Sequence, residues 1–236
     1  MEFDRLVRPF RILANRLLPR KVLSDFNWTN YTSFDYEPQI TSLELDGYGL
    51  LLNDLQIENF KNTNENISDV HAPHILLYKT CLGLTPKSVF EVGAGAGYHL
   101  INLSRLLPGV DVSGIDLLAT QVALGVKLFP EHKALLNEIS FGDFTDKATL
   151  LKLKSNPEIV FTQAVTMHLP YKKAKHMVTN MILFSSRYVI LVENIVDSHD
   201  YNDLLKDVSR ESAKFEYTIS EIPNNQNGLI LIKKLI

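Results

Sequence analysis

A chain of 236 residues, 45% hydrophobic and 22% charged, can bury a sizeable core, which sets it apart from disordered chains. Its formal net charge of −3 gives no global attraction to nucleic acid, and no apolar run approaches the roughly 20 residues needed to span a bilayer. Cys81 is the only cysteine, which excludes an internal disulfide and any cysteine-built zinc site.

Residues 1–66 read as a mainly helical extension or cap ahead of a domain over 67–236. "MEFDRLVRPFRILANRLLPRK" carries Arg5, Arg8, Arg11, Arg16, Arg20 and Lys21 against only Glu2 and Asp4. Phe3, Leu6, Val7, Phe10, Leu13 and Leu17 recur at helical spacing, with Pro9 as a break. Such a helix suits packing on the domain, while its basic face also fits a membrane surface or a partner. Charges interleaved with apolar residues do not make a secretory leader, and a cytoplasmic protein is expected. Trp28, Tyr31, Phe34 and Tyr36 then lie close together. They fit either the packing of this extension or a lid over a bound molecule, Trp28 and Tyr31 being the substrate-binding candidates. Further on, "VHAPHILLYKTCLGL" predicts a helix with Pro73 in its first turn.

From about residue 85 the pattern alternates strand and helix, as in a parallel sheet covered on both faces. Strands are expected over 88–92, 110–115, 138–141, 158–162 and 187–193. The intervening helices fall over 96–107, 117–128, 145–154 and 171–184, with Thr145 as a cap, and one more follows over 199–212. The tail "KFEYTISEIPNNQNGLILIKKLI" holds two β-rich runs around Asn-Asn-Gln-Asn-Gly, a hairpin signal. The fold class is therefore α/β: a doubly wound, mostly parallel seven-stranded sheet ending in an antiparallel hairpin.

The densest signal is "SVFEVGAGAGYHL" at 88–100, an apolar strand, an acid and three alternate glycines before a helix. Gly-x-Gly in this position fits any nucleotide-binding α/β fold. A dinucleotide fingerprint wants a small residue at position 98, but Tyr98 stands there and the third glycine, Gly97, comes one residue early. Glu91 would sit poorly beside a pyrophosphate and well beside an ammonium group. Asp116 ends the second strand, where a carboxylate can accept ribose hydroxyls, and Asp143 follows the third. Taken singly, either aspartate also suits a helix cap.

"EVGAGAG", with Asp116 and "GDF" in order behind it, resembles the class I S-adenosylmethionine-dependent methyltransferases over residues 85–236. The resemblance implies S-adenosyl-L-methionine as cofactor and S-adenosyl-L-homocysteine as product. It places the cofactor's amino-acid portion at Glu91, Gly93, Ala94, Gly95 and Gly97, and its ribose at Asp116, with Leu117 and Gln121 nearby. The adenine falls to Gly142, Asp143 and Phe144, and Gln163 joins the ligand contacts.

The acceptor is expected to be a small molecule. The Asn/Asp-Pro-Pro-Tyr/Phe tetrad of methyltransferases acting on nucleic-acid bases or glutamine is absent, Thr162-Gln163-Ala164 standing there instead, which argues against a nucleic-acid substrate. His168, just past the fourth strand, is the candidate general base or else a residue fixing local structure. Tyr98, Glu193, Asn194 and His199 are candidates for the acceptor side, since strand C-termini line the crevice of such sheets. No metal is expected, because a hard anionic ligand is missing after the fourth strand. A hydroxyl of a sugar or sugar-derived metabolite is the favoured acceptor, on the strength of the aromatic cluster. N-methylation, a catalytically silent binding subunit and a nicotinamide-dependent oxidoreductase are the alternatives.

Overall fold

The apolar runs that the sequence marks as strands form one sheet. The computed structural model describes residues 49–62, 67–153, 156–223 and 225–235. The strands are β1 (Ser88–Val92), β2 (Asp111–Asp116), β3 (Ser140–Phe141), β4 (Ile159–Gln163), β5 (Tyr188–Asn194), β6 (Phe215–Glu221) and β7 (Asn227–Lys234). They form one sheet in the order β3-β2-β1-β4-β5-β7-β6, parallel except where β7 pairs antiparallel with β5 and β6. The mostly parallel seven-stranded sheet and its closing hairpin are those expected from the sequence.

The helices are α1 (Asp54–Lys61), α2 (Ala72–Leu84), α3 (Tyr98–Leu106), α4 (Ala119–Leu128), α5 (Lys133–Leu136), α6 (Lys147–Lys152), α7 (Tyr171–Phe184) and α8 (Tyr201–Ser209). Successive strand residues point to opposite faces, so one sheet makes two cores. Val89, Phe161 and Ile190 pack with Tyr78, Leu100 and Val122 of α2, α3 and α4. Phe90, Val160 and Leu191 pack with Met177, Val178 and Leu204 of α7 and α8. Central strands covered on both faces are almost wholly buried, which is why they read as continuous apolar runs.

Two local expectations are corrected. The third strand is two residues long, because only Ser140 and Phe141 pair, with Ile115 and Asp116 at the sheet edge. The helix after it is capped by Asp146, whose carboxylate accepts from Ala148 N, and not by Thr145. Thr145 instead gives both its amide and hydroxyl hydrogens to Asp143 Oδ1, at 2.8 and 2.7 Å. A carboxylate is the stronger acceptor for orphan helix amides.

Residues 49–62 are built onto the sheet-bearing body. Asn53 and Gln56 cap α1 reciprocally, and Leu52 and Phe60 enter the core that holds α2 and α3. Asn102 of α3 accepts from Leu52 N and donates to Leu50 O, at 2.9 and 2.8 Å. The basic helix expected near the start of the chain, and the cluster of Trp28 and Tyr31, lie outside the described residues.

Candidate functional site

Strands β1 and β4 are neighbours, and the chain leaves them for opposite faces of the sheet. This is the switch point at which doubly wound sheets open a crevice beyond their strand ends. A cavity of about 320 Å³ occupies it. One wall is the turn after β1, the floor is the ends of β2 and β3, and the other wall is the segment after β4.

The glycine turn is dictated by backbone geometry. Gly93, Gly95 and Gly97 have φ of 78°, 54° and 76°, the left-handed region that side chains disfavour. A Cβ on Gly93 would lie 2.5 Å from Val165 Cγ2, and one on Gly97 would lie 2.3 Å from Leu136 Cδ2. The amides of Gly93 and Ala94 both donate to Ile115 O, and Gly95 N donates to Asp116 Oδ2 at 2.7 Å. Glu91, Gly93, Ala94 and Gly95 line the cavity. Gly97 does not; it caps α3 in the left-handed conformation.

Three carboxyl groups stand at three successive strand ends. Asp116 uses one oxygen on Gly95 N and the other on Leu118 N, the latter at 2.8 Å. A carboxylate has about four acceptor directions, so room remains for a ligand donor. Burial raises the pKa of Asp116 while those backbone donors restrain it. Glu91 is 1% exposed, and its Oε2 has no hydrogen-bond partner among the described residues. Burial first, then the charge of Asp116, holds Glu91 well above the usual carboxylate range. Asp143 closes the turn after β3 through Thr145. Leu117, Gln121, Gly142 and Phe144 complete the floor. Phe144 packs against Phe90 and Phe184, and its carbonyl accepts from Asn180 Nδ2 at 2.8 Å.

The opposite wall is Gln163, Ala164, Val165 and His168. Ala164 has φ of 53°, an unfavourable angle for a residue with a Cβ, costing on the order of 1–3 kcal/mol. The turn is held from beneath. Glu193 Oε1 accepts from Val165 N and Thr166 N, and its Oε2 accepts from Met167 N, at 3.2, 3.0 and 3.2 Å. His199 Nε2 donates to Thr166 O at 2.9 Å, and the Thr166 and Tyr201 hydroxyls bond each other. Burial pushes the carboxyl of Glu193 up to about 7, against those donors. His168 sits in the short 3-10 turn Thr166–His168 and lines the cavity. Burial lowers its pKa, so the ring is neutral near neutral pH and able to accept a proton.

Of the residues expected on the acceptor side, Tyr98 lines the cavity, whereas Glu193, Asn194 and His199 do not. Strand alternation turns Glu193 toward α7 and α8, where it and His199 grip the His168 turn. Asn194 Oδ1 accepts from Val196 N and Asp197 N, closing the turn after β5. Thr162 is directed into the core and donates to Val92 O. Among the described residues, no three His, Cys, Asp or Glu side chains gather as a metal site.

Sequence reasoning passed over Leu169, Lys173 and Met177, which line the cavity and stand four residues apart. That spacing was the available signal for one face of a helix directed at the crevice. It also passed over His99, in the first turn of α3. Three carboxyls facing one cavity make it hostile to a pyrophosphate and hospitable to a ligand carrying positive charge and hydroxyls.

No family model matches the chain, and no curated protein sequence matches it. Solved structures do match. One is magnesium protoporphyrin IX methyltransferase from Synechocystis PCC 6803 with bound S-adenosylmethionine, at 18% identity and TM-score 0.54, covering 89% of this chain and 94% of that one. Another is the plantazolicin methyltransferase in complex with S-adenosylhomocysteine, at 12% identity and TM-score 0.54, covering 99% and 98%. A third is an O-methyltransferase family protein from Burkholderia thailandensis, at 11% identity and TM-score 0.51, covering 85% and 68%. The chain has the Rossmann-like fold of these methyltransferases.

Proposed function

We propose that the crevice binds S-adenosylmethionine and that the protein transfers its methyl group to a small-molecule acceptor. One observation carries the reading: the glycine turn and the three carboxyls of Glu91, Asp116 and Asp143 face a single cavity. Glu91 is placed for the ammonium group, the open acceptor directions of Asp116 for the ribose hydroxyls, and Asp143 for the adenine amino group. The fold shared with methyltransferases solved with this cofactor or its product supports the same assignment.

A hydroxyl is the proposed acceptor, with His168 as the base. The sulfonium is already an activated leaving group, so alignment and exclusion of water supply much of the catalysis. A hydroxyl still has a proton to lose, and a neutral imidazole on the cavity wall opposite the glycine turn is suited to take it. The aromatic residues that favour a sugar hydroxyl, Trp28, Tyr31, Phe34 and Tyr36, lie outside the described residues.

Calorimetry with S-adenosylhomocysteine and NAD⁺ tests the cofactor. Binding of the first and not the second is expected, and the reverse overturns the reading. Mass spectrometry of a metabolite pool incubated with protein and isotopically labelled methyl donor then tests transfer, and absence of any labelled product refutes it.

A further inference from the structure

The inner wall of the cavity holds a buried side chain whose Nε2 closes no hydrogen bond among the described residues. His99 is 3% exposed, lines the same cavity as Glu91, and has an Nε2 without a hydrogen-bond partner among the described residues. The protonation of its ring follows from a chain of hydrogen bonds. Asn102 accepts from Leu52 N through Oδ1, so its Nδ2 is the donor that reaches Leu50 O and the Tyr78 hydroxyl, the latter at 2.9 Å. Tyr78, having accepted that hydrogen, gives its own to His99 Nδ1 at 2.8 Å. With Nδ1 an acceptor, the single hydrogen of a neutral ring resides on Nε2. Burial keeps the ring neutral, lowering its pKa to about 3. Gln163, whose Oε1 is likewise unpartnered, lies near enough to favour the charged ring, and without a ligand the two close no hydrogen bond.

A buried N–H without an acceptor is unfavourable, and folds seldom retain one without use. Two rings hold this one in place: His74 crosses it edge to face at 4.7 Å, and Tyr98 lies 4.2 Å away. It belongs to the first turn of α3, where the helix also favours negative charge. Glu91, lining the same cavity, also has an unpartnered Oε2.

Building on the proposed cofactor, we infer that His99 Nε2–H donates to the carboxylate of the ligand's amino-acid end, opposite the ammonium group held by Glu91. The two side chains form a cradle for a zwitterion, and the hydrogen-bond chain through Tyr78 and Asn102 ties that cradle to residues 50–52. No proton is transferred; His99 acts by holding its hydrogen at one nitrogen.

Calorimetry with two ligands tests this in the full chain. S-adenosylhomocysteine carries the amino-acid end, and 5′-methylthioadenosine keeps the thioether, ribose and adenine without it. His99→Phe retains a planar ring and loses the donor. It is expected to weaken S-adenosylhomocysteine about tenfold to a hundredfold, the usual weight of a hydrogen bond to a charged group, and to leave 5′-methylthioadenosine within twofold. His99→Gln, whose amide nitrogen reaches near the Nε2 position, restores most of the affinity. Tyr78→Phe releases Nδ1, allowing the ring hydrogen to leave Nε2, and weakens the same ligand selectively by a smaller factor. It also carries the test should His99→Phe fail to fold. Equal loss for both ligands would reduce His99 to a packing residue, and unchanged S-adenosylhomocysteine affinity would overturn the inference directly. If the unaltered protein binds neither ligand, the cofactor reading fails first and this one with it.

Discussion

Replacing Glu193 by glutamine should change how stability depends on pH, and the size of the change follows from the site. The carboxyl is fully buried at the end of β5 beneath the His168 turn and accepts three backbone amides. Burial outweighs those amides and moves its pKa from 4.5 to about 7. The folded protein therefore holds this proton more tightly than the unfolded chain does. The stabilisation it brings is fully present below pH 4.5 and is lost as pH rises through 7. A displacement from 4.5 to about 7 amounts to about 3 kcal/mol. Glutamine has nearly the same shape and does not titrate, so it cancels every other pH-dependent group. Urea denaturation of both proteins at pH 5, 6, 7 and 8 should show the unaltered protein losing up to about 3 kcal/mol relative to Glu193→Gln. Parallel curves would refute the reasoning. A relative gain with rising pH would mean that the three amides outweigh burial and that the carboxylate is the native form.

Three further outcomes are expected. Asp116→Ala should weaken S-adenosylhomocysteine and 5′-methylthioadenosine alike, by about tenfold or more, because both carry the ribose; unchanged calorimetric affinities would remove that role. His168→Ala should lower turnover by about a hundredfold or more with cofactor affinity within twofold, once labelled-methyl assays supply an acceptor, and intact turnover would remove it as the base. Gly125→Ala should cost about 1–3 kcal/mol in urea denaturation although alanine is the better helix former, since its Cβ would meet Ala96 O of the glycine turn at 2.2 Å.

Periodicity was enough for the frame. The helix Tyr171–Phe184 and strand Ser88–Val92 have the bounds that apolar spacing and the flanking Pro170 and Gly93 indicate. Glu91, Asp116 and Asp143 were legible because strand ends are marked by an acid after an apolar run, and strand ends are where the crevice opens. Glu193 satisfies the same rule and misleads. Its position along β5 is right, but its side chain faces α7 and α8, and the sheet order that decides this is not a local property of the sequence. His99 eluded reading for a related reason. Its donor is set by Tyr78, 21 residues away, and by an asparagine that is itself oriented by Leu50 and Leu52.

The two walls of the cavity are held by different physics, and this separates the consequences of altering them. The glycine wall is pinned by backbone bonds to Ile115, by the Asp116 carboxylate on Gly95 N, and by steric necessity at Gly93 and Gly97. The His168 wall contains a residue at an unfavourable angle, Ala164, restrained by one amide bond to Val192 O and by the grip of a single carboxyl on the three residues that follow. A carboxyl that titrates near neutrality grips amides more strongly ionised than protonated, so the proton that stabilises the fold also loosens the turn carrying the base. Stability and placement of His168 are thus set against each other at one residue. The carboxyls of Glu91, Asp116 and Asp143, on the other side of the cavity, are not part of that conflict.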